Sequence, residues 1–277
     1  MKRILNQLIR LQELFFAQSE QQSLDPGTQS KEIEKAIQNL MEDLSPEIAS
    51  LSRRLRRRDL AVVVPVVDGV CSACGMALPT SQTYGIATAE KIHQCPSCSR
   101  ILYSRPGAPR QLKGVTPLGG PRSGVARFSN KSLIRPRLKA ETREESLSEP
   151  VDLMACEGFV ENPEGLLQAA LEREAIVPTA VNHGLAFPHV RGVEGGGLTF
   201  SVGLKREGLE FGAPDGGLTH IIFFIVIPSA ASAFYLHLLS GLIETFQDED
   251  ARRRLLACET PDEVWEILTL TSQKAIP

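Results

Sequence analysis

The chain has 277 residues, enough for about two domains and at least one full hydrophobic core. Its 42% hydrophobic and 23% charged content is ordinary globular usage and excludes collagen-like, wholly disordered and disulfide-framework classes. The net charge of -3 hides an asymmetry, because residues 91–140 hold eleven Lys or Arg and no Asp or Glu, leaving the remainder acidic. No apolar run approaches the roughly 18 residues of a membrane-spanning helix. The N-terminal stretch interrupts its apolar positions with charged and amide residues and lacks a small-residue cleavage site. The expectation is a cytoplasmic protein.

Residues 1–60 read as two helices. Ile4, Leu8, Leu11 and Phe15 mark the first, and Ile33, Ile37, Leu40, Leu44, Ile48, Leu51 and Leu55 the second, in three- and four-residue steps close to a coiled-coil seam. The turn-forming Ser-Leu-Asp-Pro-Gly-Thr at 23–28 predicts an antiparallel hairpin, and Ser45-Pro46-Glu47 predicts a kink or restart of the second helix. The run Arg53, Arg54, Arg56, Arg57 and Arg58 reads first as a solvated face at a helix C-terminus, where cations suit the dipole.

Residues 61–103 form a cysteine module. Cys71-Ser-Ala-Cys74 and Cys95-Pro-Ser-Cys98 are separated by twenty residues, and each pair can place two thiolates on one turn. Together they complete the closed, four-sulfur set of structural zinc, with no open position for catalytic water. A segment this short has little core of its own, so metal is expected to hold it folded. His93 is expected on the surface rather than as a fifth ligand. The order hairpin, then Asp68-Gly69-Val70-Cys71, then Cys98-Ser-Arg100-Ile101-Leu102-Tyr103 resembles the bacterial coiled-coil proteins that end in a C4-type zinc ribbon, with a shorter hairpin than is usual there. That resemblance implies an interaction or scaffold role without catalysis.

Residues 104–127 are rich in Gly and Pro, lack apolar periodicity and read as a basic linker. From about 128 the pattern becomes α/β, with helices near 141–157 and 163–174, strands near 198–204 and 221–227, and further helices from about 230. The continuous apolar run 221–227 predicts a central strand covered on both faces. The fold class is therefore multidomain: an α-helical hairpin plus a small zinc ribbon, then an α/β domain over 128–277 with a mixed sheet flanked by helices. Cys156 and Cys258 read as small core residues and His220 as structural. His189 follows a proline and a Gly-containing turn and precedes Arg191, so it reads as a candidate exposed nucleophile on a stiff backbone.

Residues 128–274 resemble the enzyme IIA domain of the fructose/mannitol and nitrogen-regulatory class of the phosphoenolpyruvate-dependent phosphotransferase system. The segments carrying the likeness include Arg173-Glu174, Thr179, Gly184-Leu-Ala-Phe-Pro-His189, Gly208-Leu-Glu-Phe211 and Phe224-Ile-Val-Ile-Pro228. The resemblance implies that His189 accepts a phosphoryl group from the histidine phosphocarrier protein HPr, with Arg173 at the family's arginine position. A neutral imidazole, of ordinary pKa about 6.5, can serve as nucleophile, and a guanidinium can clamp phosphoryl oxygens. The family's second active-site histidine falls on Tyr235, which can donate a hydrogen bond but carries no positive charge. His237, about 200° further round the same helix, cannot take its place. Ala180 and Asn182 stand where two glycines are usual.

The combined reading is a cytoplasmic, bacterial regulator in which a zinc ribbon and hairpin bind an unknown protein partner beside a phosphate-receiving domain. Two alternatives remain open: a regulator that signals by binding without phosphorylation, and a nucleic-acid-binding zinc-ribbon protein. The ribbon's only aromatics are Tyr84 and Tyr103, so weak, sequence-independent nucleic-acid binding is all that is expected.

Overall fold

A computed structural model describes residues 2–24, 31–67, 69–104, 111–112, 124–193, 195–228 and 232–276. They belong to two compact units, Met1–Gly107 and Ala108–Pro277.

In the first unit α1 (Lys2–Leu24) packs on α2 (Lys31–Glu42), and α3 (Pro46–Arg56) restarts the helix with Ser45 as N-cap and Pro46 in its first turn. Positions 25–28 of the expected turn lie outside the described residues. Leu5, Leu8, Leu11 and Phe15 of α1 bury against Leu44, Ala49 and Leu55 and also against Val62, Val63 and Ile101. The ribbon therefore shares a core with the helices instead of standing alone. Gln12 pairs both ways with the backbone of Val63, donating to its carbonyl at 3.0 Å and accepting from its N–H at 2.7 Å. Arg53, Arg54, Arg57 and Arg58 are exposed, as expected of a solvated helix end, while the Arg56 guanidinium lies 3.7 Å over the Phe15 ring.

Strands β1 (Val63–Val67), β2 (Val70–Cys71), β3 (His93–Gln94) and β4 (Ile101–Ser104) form a sheet of order β2-β1-β4-β3, with α4 (Thr80–Thr88) between β2 and β3. β1 runs parallel to β4, and the outer strands are antiparallel to their neighbours. His93 departs from expectation. It is half-buried, because a Cβ on Gly85 would lie 2.9 Å from its imidazole; glycine at 85 lets the ring pack against α4.

The second unit is built on the sheet β5 (Ile134–Arg135), β9 (Thr199–Leu209), β10 (Thr219–Pro228), β7 (Leu185–Ala186) and β6 (Ala180–Val181), in that spatial order, with β8 (His189–Val193) also paired to β10. β10 is parallel to β7 and β8 and antiparallel to β9, which makes the sheet mixed. Its apolar run has partners on both edges and is buried on both faces. Ile222, Phe224 and Val226 meet Leu147, Val151 and Met154 of α5 (Arg143–Cys156) and Leu166, Ala169 and Ala170 of α6 (Pro163–Glu174). Phe223, on the opposite face, packs on Phe246 of α7 (Ser232–Phe246), and α8 (Glu249–Ala257) and α9 (Pro261–Ser272) complete the chain.

Helix starts follow local rules. α5 and α9 each open with a capping box, Thr142 with Glu145 and Thr260 with Glu263, and α6 opens with Asn162 capping ahead of Pro163. Cys156 is exposed rather than a core residue. It falls in line with Glu145, Glu149 and Asp152 on α5, whereas the buried stripe runs through Leu147, Pro150, Val151 and Met154. Cys258 is buried, as expected. Part of the 104–127 segment belongs to the second unit: the Leu112 N–H donates to Phe159 O at 2.8 Å, Gln111 is buried, and residues 124–127 form a 3₁₀ turn around buried Val125. Isolated bridges of this kind leave no periodic trace in sequence.

Phe223 is fully buried and stacks on Phe187 at 5.3 Å between centroids, with Phe200 at 6.0 Å and Phe246 at 5.5 Å. Phe223→Ala is expected to cost the second unit about 3–5 kcal/mol. Urea unfolding followed by Trp265 in α9, the chain's single tryptophan, checks this; a loss below about 1 kcal/mol would mean that the aromatic cluster collapses to fill the gap.

Candidate active site and metal centre

The two cysteine knuckles are built alike. Cys71 N–H donates to Met76 O and Gly75 N–H to Cys71 O, both at 2.9 Å; Cys95 N–H donates to Arg100 O and Ser99 N–H to Cys95 O, also at 2.9 Å. Each turn needs a left-handed residue after its second cysteine, supplied by Gly75 (φ 73°) and, less commonly for a residue with a Cβ, by Ser99 (φ 62°). The four sulfurs lie within 4.8 Å of one another, with Cys74 to Cys95 at 3.5 Å and Cys71 to Cys98 at 3.8 Å. Sulfurs 2.3 Å from a tetrahedral zinc stand about 3.8 Å apart, so the cage fits the ion. Backbone N–H groups of Ala73, Cys74 and Met76 point at the first knuckle's sulfurs and those of Ser97 and Cys98 at Cys95, favouring thiolates. Burial dominates at Cys71 and pushes its thiol up to about 12, whereas exposed Cys74 sits lowered to about 7. Zinc here is structural, and His93 is outside the ligand group.

The second site begins at the C-terminus of α6. Glu174 is buried and accepts from Thr179 N–H at 2.8 Å and Thr179 Oγ1 at 2.7 Å, while Phe187 N–H donates to Thr179 O at 3.1 Å. Those bonds tie the β6–β7 hairpin and the Phe187-Pro188-His189 entry to the helix. Burial holds the Glu174 carboxyl above its ordinary range, against the lowering effect of the two Thr179 bonds and Arg173. At the hairpin tip Gly184 (φ 73°) is required, since a Cβ there would stand 2.9 Å from the His220 ring. His189 then opens β8 opposite Ile225, and Pro188 O accepts the Ile225 N–H at 2.8 Å.

His189 is only 1% exposed, which corrects the expectation of an exposed nucleophile. It sits at the start of a strand paired to the central one, and its ring faces inward. Arg173 Nε donates to His189 Nε2 at 3.2 Å and Arg173 Nη1 to Val177 O at 2.9 Å. On the other side of the ring, Nδ1 lies 3.0 Å from Phe187 O and 3.2 Å from Tyr235 Oη. An Nε2 that accepts from a guanidinium carries the lone pair, which places the ring proton on Nδ1, where it meets a carbonyl. Tyr235 is fully buried, its ring centroid 5.2 Å from that of His189, so His189, Arg173 and Tyr235 do converge. His237 is exposed on the same helix. Arg191 had no assigned role in the sequence; it lies with its guanidinium 4.6 Å over the Tyr235 ring. The signal for it was its position two residues after His189 on one strand, which puts both side chains on one face.

The family model described as phosphoenolpyruvate-dependent sugar phosphotransferase system, EIIA 2, matches residues 127–270, and that of the C4-type zinc ribbon domain matches residues 70–102. The chain belongs to the phosphotransferase-system EIIA 2 family and carries a C4-type zinc ribbon ahead of that domain. It is similar to the fructose-specific EIIA component of Haloferax volcanii, with 31% identity over 127 residues covering 46% of this chain and 82% of the relative. It is 26% identical over 143 residues to the nitrogen regulatory protein of Escherichia coli strain K12, covering 51% and 87%. The fructose-specific EIIABC component of Bacillus subtilis shares 24% over 144 residues, 52% of this chain but only 23% of that longer protein. Among solved structures, the nitrogen regulatory protein IIA-Ntr from Neisseria meningitidis is 26% identical, covering 51% of this chain and 97% of its own at a TM-score of 0.47. No helix among the described residues is long and apolar enough to cross a membrane.

Proposed function

We propose that the second unit is a regulatory phosphocarrier that takes a phosphoryl group onto His189 Nε2 from the phosphohistidine of an HPr-type protein. The observation carrying this reading is the oriented imidazole, with Nδ1–H toward the Phe187 carbonyl and Arg173 Nε on the lone pair of Nε2. Transfer needs Arg173 to move off Nε2 and onto the phosphoryl oxygens. The Nε2 pair then attacks phosphorus, the donor's N–P bond breaks, and its electron pair returns to the donor imidazole while Nδ1 keeps its proton. Similarity to the nitrogen regulatory proteins supports regulation over sugar transport, and the hairpin and ribbon would report the phosphorylation state to a protein partner.

Mass spectrometry after incubation with phosphoenolpyruvate, enzyme I and HPr tests the reading. One acid-labile phosphoryl group per chain, absent from His189→Ala, is the expected result; label that persists in His189→Ala would remove the assignment. The buried ring and the tyrosine at position 235 favour a second reading, a regulator that binds without being phosphorylated, and a wild type that never labels would select it.

A further inference from the structure

β8 pairs with β10 in regular register from His189 opposite Ile225 to Arg191 opposite Ile227, so the imidazole and the Arg191 side chain leave the strand on the same face. Both reach the ring of Tyr235: the imidazole centroid stands 5.2 Å from it, and the half-buried guanidinium carbon 4.6 Å. A histidine at 235, once protonated, would repel that guanidinium. A phenol ring instead offers it a negative face. Tyr235 thus exchanges one cation for another, supplying no charge itself while holding a charge that arrives from the neighbouring strand.

We propose that Arg191 is a second phosphoryl-binding cation, positioned by Tyr235 and acting alongside Arg173 when His189 Nε2 carries a phosphoryl group. The proposal rests on the reading of His189 as a phosphoryl acceptor. Arg173 meets Nε2 from the end of α6, whereas Arg191 leaves β8 on the same face as His189 and rests on the Tyr235 ring, so a second guanidinium from a different element is held beside the imidazole, within a side chain's swing of the phosphoryl group. Two planar donors suit the three oxygens of a phosphoryl group, with several N–H groups available to each oxygen.

The test labels the full-length, zinc-loaded protein with phosphoramidate, a small donor that needs no carrier protein. The imidazole Nε2 displaces the amine of the reagent, which leaves as ammonia. Phosphorus NMR then gives the second ionisation of the phosphoryl group as pH is varied. A cation held within about 4–6 Å keeps that group dianionic, so Arg191→Gln should raise its pKa by about one unit, and Arg191→Lys should recover most of the wild-type value. Tyr235→Leu should move the pKa in the same direction as Arg191→Gln, because the guanidinium loses its platform; if Arg191→Gln does not fold, this variant decides. A rise smaller than about 0.3 unit in both variants would overturn the proposal. So would a wild type that phosphoramidate leaves unlabelled at His189. Labelling by phosphoramidate without labelling by HPr would retire the carrier reading alone, since the titration still decides the role of Arg191.

Discussion

Removal of zinc, by chelation or by Cys95→Ser, is expected to unfold both cysteine knuckles and leave the second unit folded. Cys71 and Cys95 sit at the centre of a small cluster with Val64, Leu78, Ile86 and Leu102. Those few side chains supply little burial, whereas a four-sulfur zinc site in comparable peptides contributes roughly 10–16 kcal/mol of apparent free energy. Without the ion, burial holds Cys71 as a neutral thiol, its pKa pushed up to about 12, and the four sulfurs remain packed together with no cation to organise them. Zinc binding expels those protons, so its stabilisation is present at neutral pH and declines as pH falls and protons compete for sulfur. Elemental analysis together with limited proteolysis checks the outcome. The expected result is one zinc per chain and new cleavage confined to residues 72–100 after chelation, with unchanged Trp265 fluorescence. Val62, Val63 and Ile101 belong to the core shared with α1 to α3, so the helices keep part of their packing. A zinc-free protein with the wild-type cleavage pattern would contradict this account.

The legibility of this fold in its sequence tracks the range of the interactions. Helices α5 and α6 were readable near 141–157 and 163–174, whereas α9 fell only within the further helices expected from about 230; β10 was readable because a seven-residue apolar run has no other comfortable place than a doubly covered strand. The zinc ligands were readable because two pairs at fixed spacing determine a closed shell, although Ser99 in a left-handed conformation was not foreseen. Strands β6 and β7 are two residues each and take their identity from partners elsewhere, so periodicity carried no sign of them. The same cause hid the burial of His189, whose strand is fixed by Ile225, far along the chain.

Residue chemistry at the second site was legible in a different measure. His189, Arg173 and Tyr235 could be singled out by resemblance, and the structure brings Arg173 and Tyr235 each within hydrogen-bonding distance of the His189 ring. The work of Glu174 was not visible, because a carboxylate at a helix end reads as solvated until Thr179 is seen to fold back on it. Cys156 shows the opposite case. The charged stripe through Glu145, Glu149 and Asp152 was present in the sequence and contradicted a core assignment.

Arg173→Gln is expected to slow phosphorylation of His189 by about a hundred- to a thousandfold, the loss seen when one preorganised donor to a developing anion is removed. Arg173 is buried and already lies against the nitrogen that must react, so its guanidinium needs only a short swing to meet incoming oxygens. Glutamine retains some hydrogen bonding without the charge. Arg173→Lys, which keeps the charge but loses the planar fork, should fall between the two. The bond from Arg173 Nη1 to Val177 O also holds the α6–β6 connection, so urea midpoints of both variants must be compared with the wild type before rates are read. Rates at matched HPr concentrations then separate three roles. Slower labelling in a stably folded Arg173→Gln protein identifies a clamp, and unchanged labelling identifies a purely structural residue. Faster labelling would identify a cover over Nε2, whose removal opens the site. The first is expected because the transferring phosphoryl group carries negative charge on three oxygens, and a buried nucleophile without a nearby cation would have to accept that charge uncompensated.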